Sequence, residues 1–193
     1  MSEEKQEQFE KDFNKAYSFY LQHKAEIEKI FKQNKLLNIE NNSTELARML
    51  DCFAGIDYIV LHKKLKSLFG VASRINFNKN YHKHVTIRYE RSTGTKTEYQ
   101  KRVDAILSKT NQLYASITMQ IDSNEDKNKI LRAIVFESDK LYIAIHNNME
   151  VFKANYLREC YDGNKFFSIP YEVIQEIGEK EDFMVKVIDF EKE

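Results

Sequence analysis

The chain has 193 residues, in which 30 Lys and Arg balance 30 Asp and Glu, and 42% of the residues are hydrophobic. This length predicts one domain that can bury a core, and the balanced charge argues against a protein that coats nucleic acid or membrane by bulk charge. No apolar run approaches the ~20 residues of a membrane span, and the acidic, polar N-terminus does not resemble a signal peptide. Cys52 and Cys160 form no disulfide framework, so we expect a reducing, cytoplasmic setting and no membrane association.

The first predicted element is a long amphipathic helix over residues 5–32, within an N-terminal segment 1–37. Its apolar residues recur at spacings of three and four, and charges fill the other faces. Such a stripe packs either on the protein's own core or on a second copy of the chain, as a homodimer seam. The stripe consists of Phe9, Phe13, Tyr17, Tyr20, Leu21, Ile27, Ile30 and Phe31.

The next segment, residues 44–121, predicts a helix, three strands, a helix and a strand in that order. Ser43 or Thr44 can cap the first helix, and Thr95 or Thr97 the second, because a hydroxyl there accepts from amides of the first turn. A C-terminal α/β extension follows over residues 122–193, in which KLYIAIHNN fits either a strand or a helix. The fold class is therefore α+β or α/β, a single domain with a mixed central sheet and flanking helices. The predicted ranges are 44–53 and 98–109 for the helices, and 56–61, 71–77, 84–90 and 114–121 for the strands.

Charged residues stand inside three predicted strands, of which the first is otherwise apolar. Asp57 is the second residue of IDYIVL, Arg74 lies in VASRINF, and Arg88 and Glu90 lie in VTIRYE. Strand interiors seldom keep charges unless these face water or work together. Asp57 is either a solvent-facing residue at a strand start or part of a site. The two arginines either reach a phosphate backbone or pair with acids across the sheet.

The order of elements over residues 44–121 resembles the core of the PD-(D/E)XK nuclease superfamily. That resemblance implies a restriction-endonuclease-like αβββαβ core, with magnesium held between carboxylates and a lysine that helps hold the attacking water. Asp57 falls at the position of the family's strand aspartate, and Arg74 at that of its lysine. Glu45 matches the helix acid, and Asp51 is a competing candidate. The resemblance thus implies Asp57, Arg74 and Glu45 as catalytic residues and Asp57, Glu45 and Asp51 as magnesium ligands.

The chain departs from this pattern at two positions. Ala72 stands where the family has an acid, which leaves fewer of the oxygen ligands that magnesium requires. Arg74 replaces the lysine and is a poor base, because a guanidinium does not give up its proton. Glu90 and Glu98 are candidates to replace the missing ligand. The resemblance therefore implies either metal-dependent phosphodiester hydrolysis or an inactivated nucleic-acid-binding derivative, of a kind found in phages and mobile elements.

Basic residues with interleaved aromatics make the middle of the chain its most positive region. This pattern suits DNA or RNA contact through phosphates and stacked bases, although a solvated surface over an aromatic core gives the same pattern. His82 and His84 would share one face of a strand and are further metal-ligand candidates. The predicted nucleic-acid-binding residues are Lys63, Lys64, Lys66, Arg88 and Arg91.

Two functions of different classes follow from these observations. The first is a nucleic-acid-acting protein, either a magnesium-dependent hydrolase or its inactive derivative. The second is a non-enzymatic interaction module that binds a protein partner through the aromatic N-terminal helix. The first requires Asp57, a second acid and Arg74 in one open cleft, whereas the second predicts that Asp57 is paired or stands alone.

Overall fold

A computed structural model of the chain provides the helices and strands. It describes residues 18–31, 35–39, 45, 50, 55–62, 66–77, 82–109, 113–124, 126 and 128–191. The helices are α1 (Lys24–Ile30), α2 (Glu98–Leu107), α3 (Ser138–Asn147), α4 (Met149–Tyr156) and α5 (Tyr171–Lys180). The strands are β1 (Lys35–Asn38), β2 (Tyr58–His62), β3 (Ser67–Asn76), β4 (His84–Glu90), β5 (Ile117–Ser123), β6 (Ile130–Glu137), β7 (Leu157–Glu159), β8 (Lys165–Pro170) and β9 (Val185–Asp189).

Six strands form a large sheet in the order β1-β2-β3-β5-β6-β9. β3 and β5 run parallel, and the other neighbours are antiparallel. The predicted fold class is confirmed at this level, as a mixed α+β architecture with a mixed sheet. β5 lies inside the sheet with both faces covered, so Met119 and Gln120, which point to opposite faces, are both buried.

One face of the large sheet is covered by residues 18–22, which are helical, and by α1. Phe19, Tyr20, Ile27 and Ile30 are buried in one cluster with apolar residues of β2, β3, β5 and β6. Their spacing puts them on one side of the helical segments, as an amphipathic helix requires. This part of the aromatic stripe packs on the protein's own sheet, while residues 5–17 and 32 of the predicted helix lie outside the described residues.

The other face of the large sheet carries a small sheet, in the order β4-β8-β7, together with helices α2, α3, α4 and α5. Phe136, Leu141 and Phe167 are fully buried where these layers meet. α2 begins after Thr97, whose hydroxyl accepts from Gln100 N at 3.2 Å while Gln100 Oε1 accepts from Thr97 N at 2.8 Å. This reciprocal cap confirms the predicted helix start.

The strand over residues 84–90 has the predicted bounds, but it does not join the sheet of the two strands that precede it along the chain. β4 pairs with β8 in the small sheet, whereas β3 has β2 on one edge and β5 on the other. Because both edges of β3 are occupied, β4 has no place beside it. The ambiguous segment KLYIAIHNN is helical, because its residues up to Asn147 belong to α3 and Asn148 connects α3 to α4. Of the predicted helix 44–53, only Glu45 and Leu50 are described, and both are helical.

Candidate functional site on the small sheet

Asp57 lies immediately before β2 and extends the pairing of the large sheet. Its main chain donates to Val71 O at 3.0 Å and accepts from Ile39 N at 2.8 Å. Its carboxylate accepts a hydrogen bond from Ser73 N. Since β2 begins at Tyr58, opposite Val71, the Asp57 side chain supplies the acceptor that a longer strand would give Ser73. This is the role of a residue that completes a sheet edge.

Arg74 spans the gap between the two sheets. Its Nη1 donates to Thr86 O at 2.6 Å and to Thr86 Oγ1 at 3.1 Å. The guanidinium of this β3 residue therefore contacts β4, whereas the Asp57 carboxylate contacts the main chain of β3. Arg74 joins two layers of the fold through these bonds.

The acids proposed as metal ligands have separate surroundings. Glu45 is exposed, and Asp51 lies outside the described residues. Glu98 lies close to Gly55, two residues before Asp57, because a Cβ added to Gly55 would be 2.8 Å from Glu98 Oε1. The Glu98 carboxylate, however, pairs with the buried Arg102. Glu90 pairs with Lys165 at 3.0 Å. Within the described ranges, no three His, Cys, Asp or Glu residues are grouped so as to hold a metal ion.

The predicted nucleic-acid-binding residues also lie in different parts of the chain. Lys63 and Lys64 lie outside the described residues. Lys66 is exposed in the turn between β2 and β3, with a φ of 50°. Arg88 is exposed on β4, and Arg91 is exposed just after that strand. Arg88 is two residues from Thr86, so Arg74 contacts the strand that carries Arg88.

Buried polar side chains of the large sheet hold the free edge of β4. Gln120, which is 1% exposed, donates through Nε2 to His84 O and accepts through Oε1 from Thr86 N at 3.2 Å. Asp122 Oδ2 accepts from Lys83 N at 2.8 Å. We call Arg74, Gln120 and Asp122 the polar seam. It supplies the hydrogen bonds that a neighbouring strand would give β4, and it therefore fixes the small sheet on the large one.

The Asp122 carboxyl is fully buried in this seam. Burial raises its pKa, and the hydrogen bond from Lys83 N together with the nearby His82 offsets part of that rise. Asn76 Nδ2 also contacts its Oδ1, at 3.4 Å. Burial and the adjacent Asp122 charge raise the pKa of the Tyr171 phenol. The seam thus contains a carboxyl whose pKa is raised by its burial in the folded state.

A charged row continues from Asp122 across the sheet. The strand register aligns Asp122 with Arg132 and Arg132 with Asp189. Arg132 Nε lies 3.5 Å from Asp189 Oδ2, and its Nη2 lies 2.5 Å from Glu191 Oε2. Arg132 is thereby engaged by two acids on the C-terminal side of the sheet, so we assign this row a structural role.

A groove of about 400 Å³ opens on the outer face of the small sheet. β4 and β8 present alternate side chains to this face, because their other residues, such as Val85 and Phe167, point into the core. The end of α4 and the strand β7 complete its wall. The groove is lined by His84, Asn155, Tyr156, Arg158, Glu159, Phe166, Ser168 and Pro170.

A row of two arginines and a phenylalanine crosses the small sheet at the groove. Arg88 is the register partner of Phe166 on one side, and Arg158 is its partner on the other. Directly opposed residues share a face, so half-buried Phe166 stands between two exposed cations. We call Arg88, Phe166 and Arg158 the Arg–Phe–Arg row. Arg158 Nη1 donates to Leu157 O at 2.8 Å, and Arg88 is in none of the ion pairs between described residues.

Acids lie close to this row as well. Glu159 is exposed at the groove wall, and Asp162 is near enough to Arg88 for that charge to contribute to the lowered pKa of Asp162, whose main cause is the hydrogen bond from Asn164 N. The site is therefore a mixed surface in which two guanidinium groups flank an aromatic ring. It can bind an anionic ligand that also offers a flat apolar face.

Sequence reasoning missed Phe166 and Arg158. One signal for Phe166 was present, since residues 166 and 167 are both Phe in a short strand, KFFSIP. Successive strand residues point to opposite faces, so one ring of such a pair must lie away from the core. Arg158 belongs to a strand of three residues, which is too short to produce a periodic pattern.

No protein-family model matches the chain, and neither the curated proteins nor the solved structures contain a match to it. The resemblance to the PD-(D/E)XK superfamily therefore stays a prediction. Among the helices of the described residues, none is long and apolar enough to cross a membrane.

Proposed function

We propose that the chain binds nucleic acid through the outer face of the small sheet, as a binding protein of nuclease-like ancestry and not as a hydrolase that uses Asp57 and Arg74. The observation that carries the proposal is the Arg–Phe–Arg row beside an open groove. Guanidinium groups bind phosphate oxygens, and aromatic rings stack on bases. The pairing of these two chemistries on one face favours a polynucleotide ligand.

The balanced net charge of the chain requires such a local site. A protein without bulk positive charge gains little from long-range attraction to DNA or RNA, so its affinity must come from placed cations and from stacking. Arg88 was expected to contact nucleic acid from the sequence, and Arg158 adds a second cation on the same face.

The hydrolytic alternative has weaker support from the contacts. The Asp57 carboxylate accepts from Ser73 N, and the Arg74 guanidinium donates to Thr86. A magnesium centre at Asp57, Glu45 and Asp51 would need the first of these bonds to be shared with the ion. We therefore place hydrolysis as a separate arm of the experiment.

The test is fluorescence anisotropy with labelled mixed-sequence DNA and RNA, at low and at moderate salt. The double variant Arg88→Gln/Arg158→Gln should bind at least tenfold more weakly, since each phosphate contact contributes to affinity and to its salt dependence. The matched control is Lys101→Gln/Lys180→Gln, which removes the same charge from exposed positions on α2 and α5. Equal losses in both double variants, or no binding by the wild type, would refute the proposal.

The hydrolytic arm incubates the same substrates with magnesium or manganese, alongside Asp57→Ala. We expect no cleavage that depends on Asp57. Cleavage by the wild type that the variant abolishes would show that the chain is a nuclease and would restore Asp57 as a metal ligand.

A further inference from the structure

We propose that the groove accepts one unstacked base, so that the ligand of this face is single-stranded nucleic acid. The inference rests on the proposed function and names the substrate class for the same site.

The groove has the capacity of a small-molecule site. Its volume of about 400 Å³ lies toward the lower end of the roughly 300–1,000 Å³ of such sites. A nucleotide fits within that range, whereas a double helix does not enter a concave site of this size. A duplex can meet this surface only along its phosphate backbones.

Phe166 distinguishes the two kinds of strand. In a duplex the π-faces of the bases are covered by their stacked neighbours, and a ring on the protein surface cannot reach them. In a single strand a base can leave the stack and lie on an aromatic side chain. Since Phe166 lines the groove between Arg88 and Arg158, a base on its ring has a cation on each side for the adjoining phosphates.

The groove also carries groups that suit the polar edge of a base. Asn155 Nδ2 donates to Val151 O at 2.8 Å, which leaves the side-chain oxygen as an acceptor. Glu159 is a second acceptor, and the Ser168 hydroxyl can donate or accept. Acceptors of this kind bind the exocyclic amino groups of bases. An acid in a purely phosphate-binding site would oppose binding, so the presence of Glu159 in the wall favours a base at this position.

The experiment uses the full chain with Phe166→Trp, which introduces the only tryptophan, because the sequence has none. Unlabelled single-stranded oligonucleotides should quench its fluorescence as they bind, and a hairpin duplex of the same composition should not. Leu107→Trp is the control, since residue 107 is exposed on α2 and does not line the groove, and its emission should not respond to either ligand. DNA and RNA versions of each oligonucleotide report which sugar the site prefers.

A second measurement compares Phe166→Leu with Phe166→Tyr by anisotropy, after both have been shown to unfold at temperatures close to that of the wild type. Loss of the ring should weaken single-strand binding by roughly tenfold, and the tyrosine variant should retain it. One result would overturn this inference and keep the proposed function. In that result the wild type binds duplex and single strand equally, Phe166→Leu has no effect, and Arg88→Gln/Arg158→Gln weakens binding. Absence of any binding by the wild type would remove both.

Discussion

The polar seam and the Arg–Phe–Arg row contain similar residues in different situations. Both place polar side chains on β-strands, and each includes an exposed arginine, Arg74 in the seam and Arg88 in the row. Arg74 donates twice to Thr86, whereas Arg88 is in none of the ion pairs between described residues. A charged residue in a strand is therefore a stronger functional candidate when the fold does not already use its hydrogen-bonding groups, as for Arg88, than when it does, as for Arg74.

The polar seam allows β4 to belong to a second sheet although one of its edges has no neighbouring strand. Its free edge would otherwise leave His84 O and Thr86 N without partners, and Gln120 satisfies both. A side-chain amide, with one donor and one acceptor group, reproduces the pairing of a backbone peptide. The seam thus fixes the orientation of the outer face on which the groove opens.

The largest expected effect comes from removing the central residue of the seam. Gln120→Leu keeps a similar volume but leaves His84 O and Thr86 N without partners in a buried region. Since an unsatisfied buried group costs about 1–3 kcal/mol, we expect the free energy of unfolding to fall by about 2–4 kcal/mol. Urea denaturation followed by circular dichroism measures this change.

The matched change on the outer face is Arg88→Leu, which should alter the free energy of unfolding by no more than about 0.5 kcal/mol. If Gln120→Leu proved as mild as Arg88→Leu, the apolar contacts of Phe167 and its neighbours would hold the small sheet without the seam.

A smaller effect should separate the two arginines directly. Arg74→Gln and Arg88→Gln remove the same charge from β3 of the large sheet and from β4 of the small sheet. We expect Arg74→Gln to lower the free energy of unfolding by about 1 kcal/mol, the usual contribution of a hydrogen bond, with little loss of nucleic-acid affinity. Arg88→Gln should show the reverse. Urea denaturation and anisotropy on the same two preparations measure both quantities, and a larger affinity loss in Arg74→Gln would place the binding surface at the seam.

Local patterns in the sequence predict the elements of this fold better than their partners. Alternation predicts the bounds of β4, and the Thr97 cap predicts the start of α2. Each signal is local, because the residues that produce it lie within a few positions of one another in the sequence. The partner of β4 is β8, which lies more than 70 residues later in the chain. No local pattern specifies such a pairing, since it depends on which strand edges remain free after β3 has been enclosed by β2 and β5.

The candidate site was predictable only in part for the same reason. Arg88 stands out as a charge in a predicted strand, but its neighbours in the Arg–Phe–Arg row come from β7 and β8, which join β4 in one sheet only in the folded chain. Arg74 carried the same signal as Arg88 in the sequence. The contact with Thr86 that distinguishes them depends on the packing of two sheets, which periodicity does not encode.

The last expected effect concerns the pH dependence of the seam. Burial raises the pKa of Asp122 in the folded state, so the folded protein binds this proton more tightly than the unfolded chain does. The resulting stabilisation is fully present below the unfolded pKa of about 3.9 and is lost as the pH rises through the folded pKa. Asp122→Asn removes the titrating carboxyl, so the variant does not lose this stabilisation. As the pH rises from 4 to 7, the free energy of unfolding of the wild type should therefore fall relative to that of the variant.

Urea denaturation at intervals across this pH range gives the two curves. The direction of their difference is informative because the contact with Lys83 N can be kept by the Asn oxygen at every pH. A difference that moves the other way would mean that the Asp122 charge is stabilised in the fold, with the Lys83 amide and His82 outweighing burial. The seam would then be a site that stabilises an anion. It would differ from the cationic outer face in charge, and also in that the hydrogen-bonding groups of its side chains are already used within the fold.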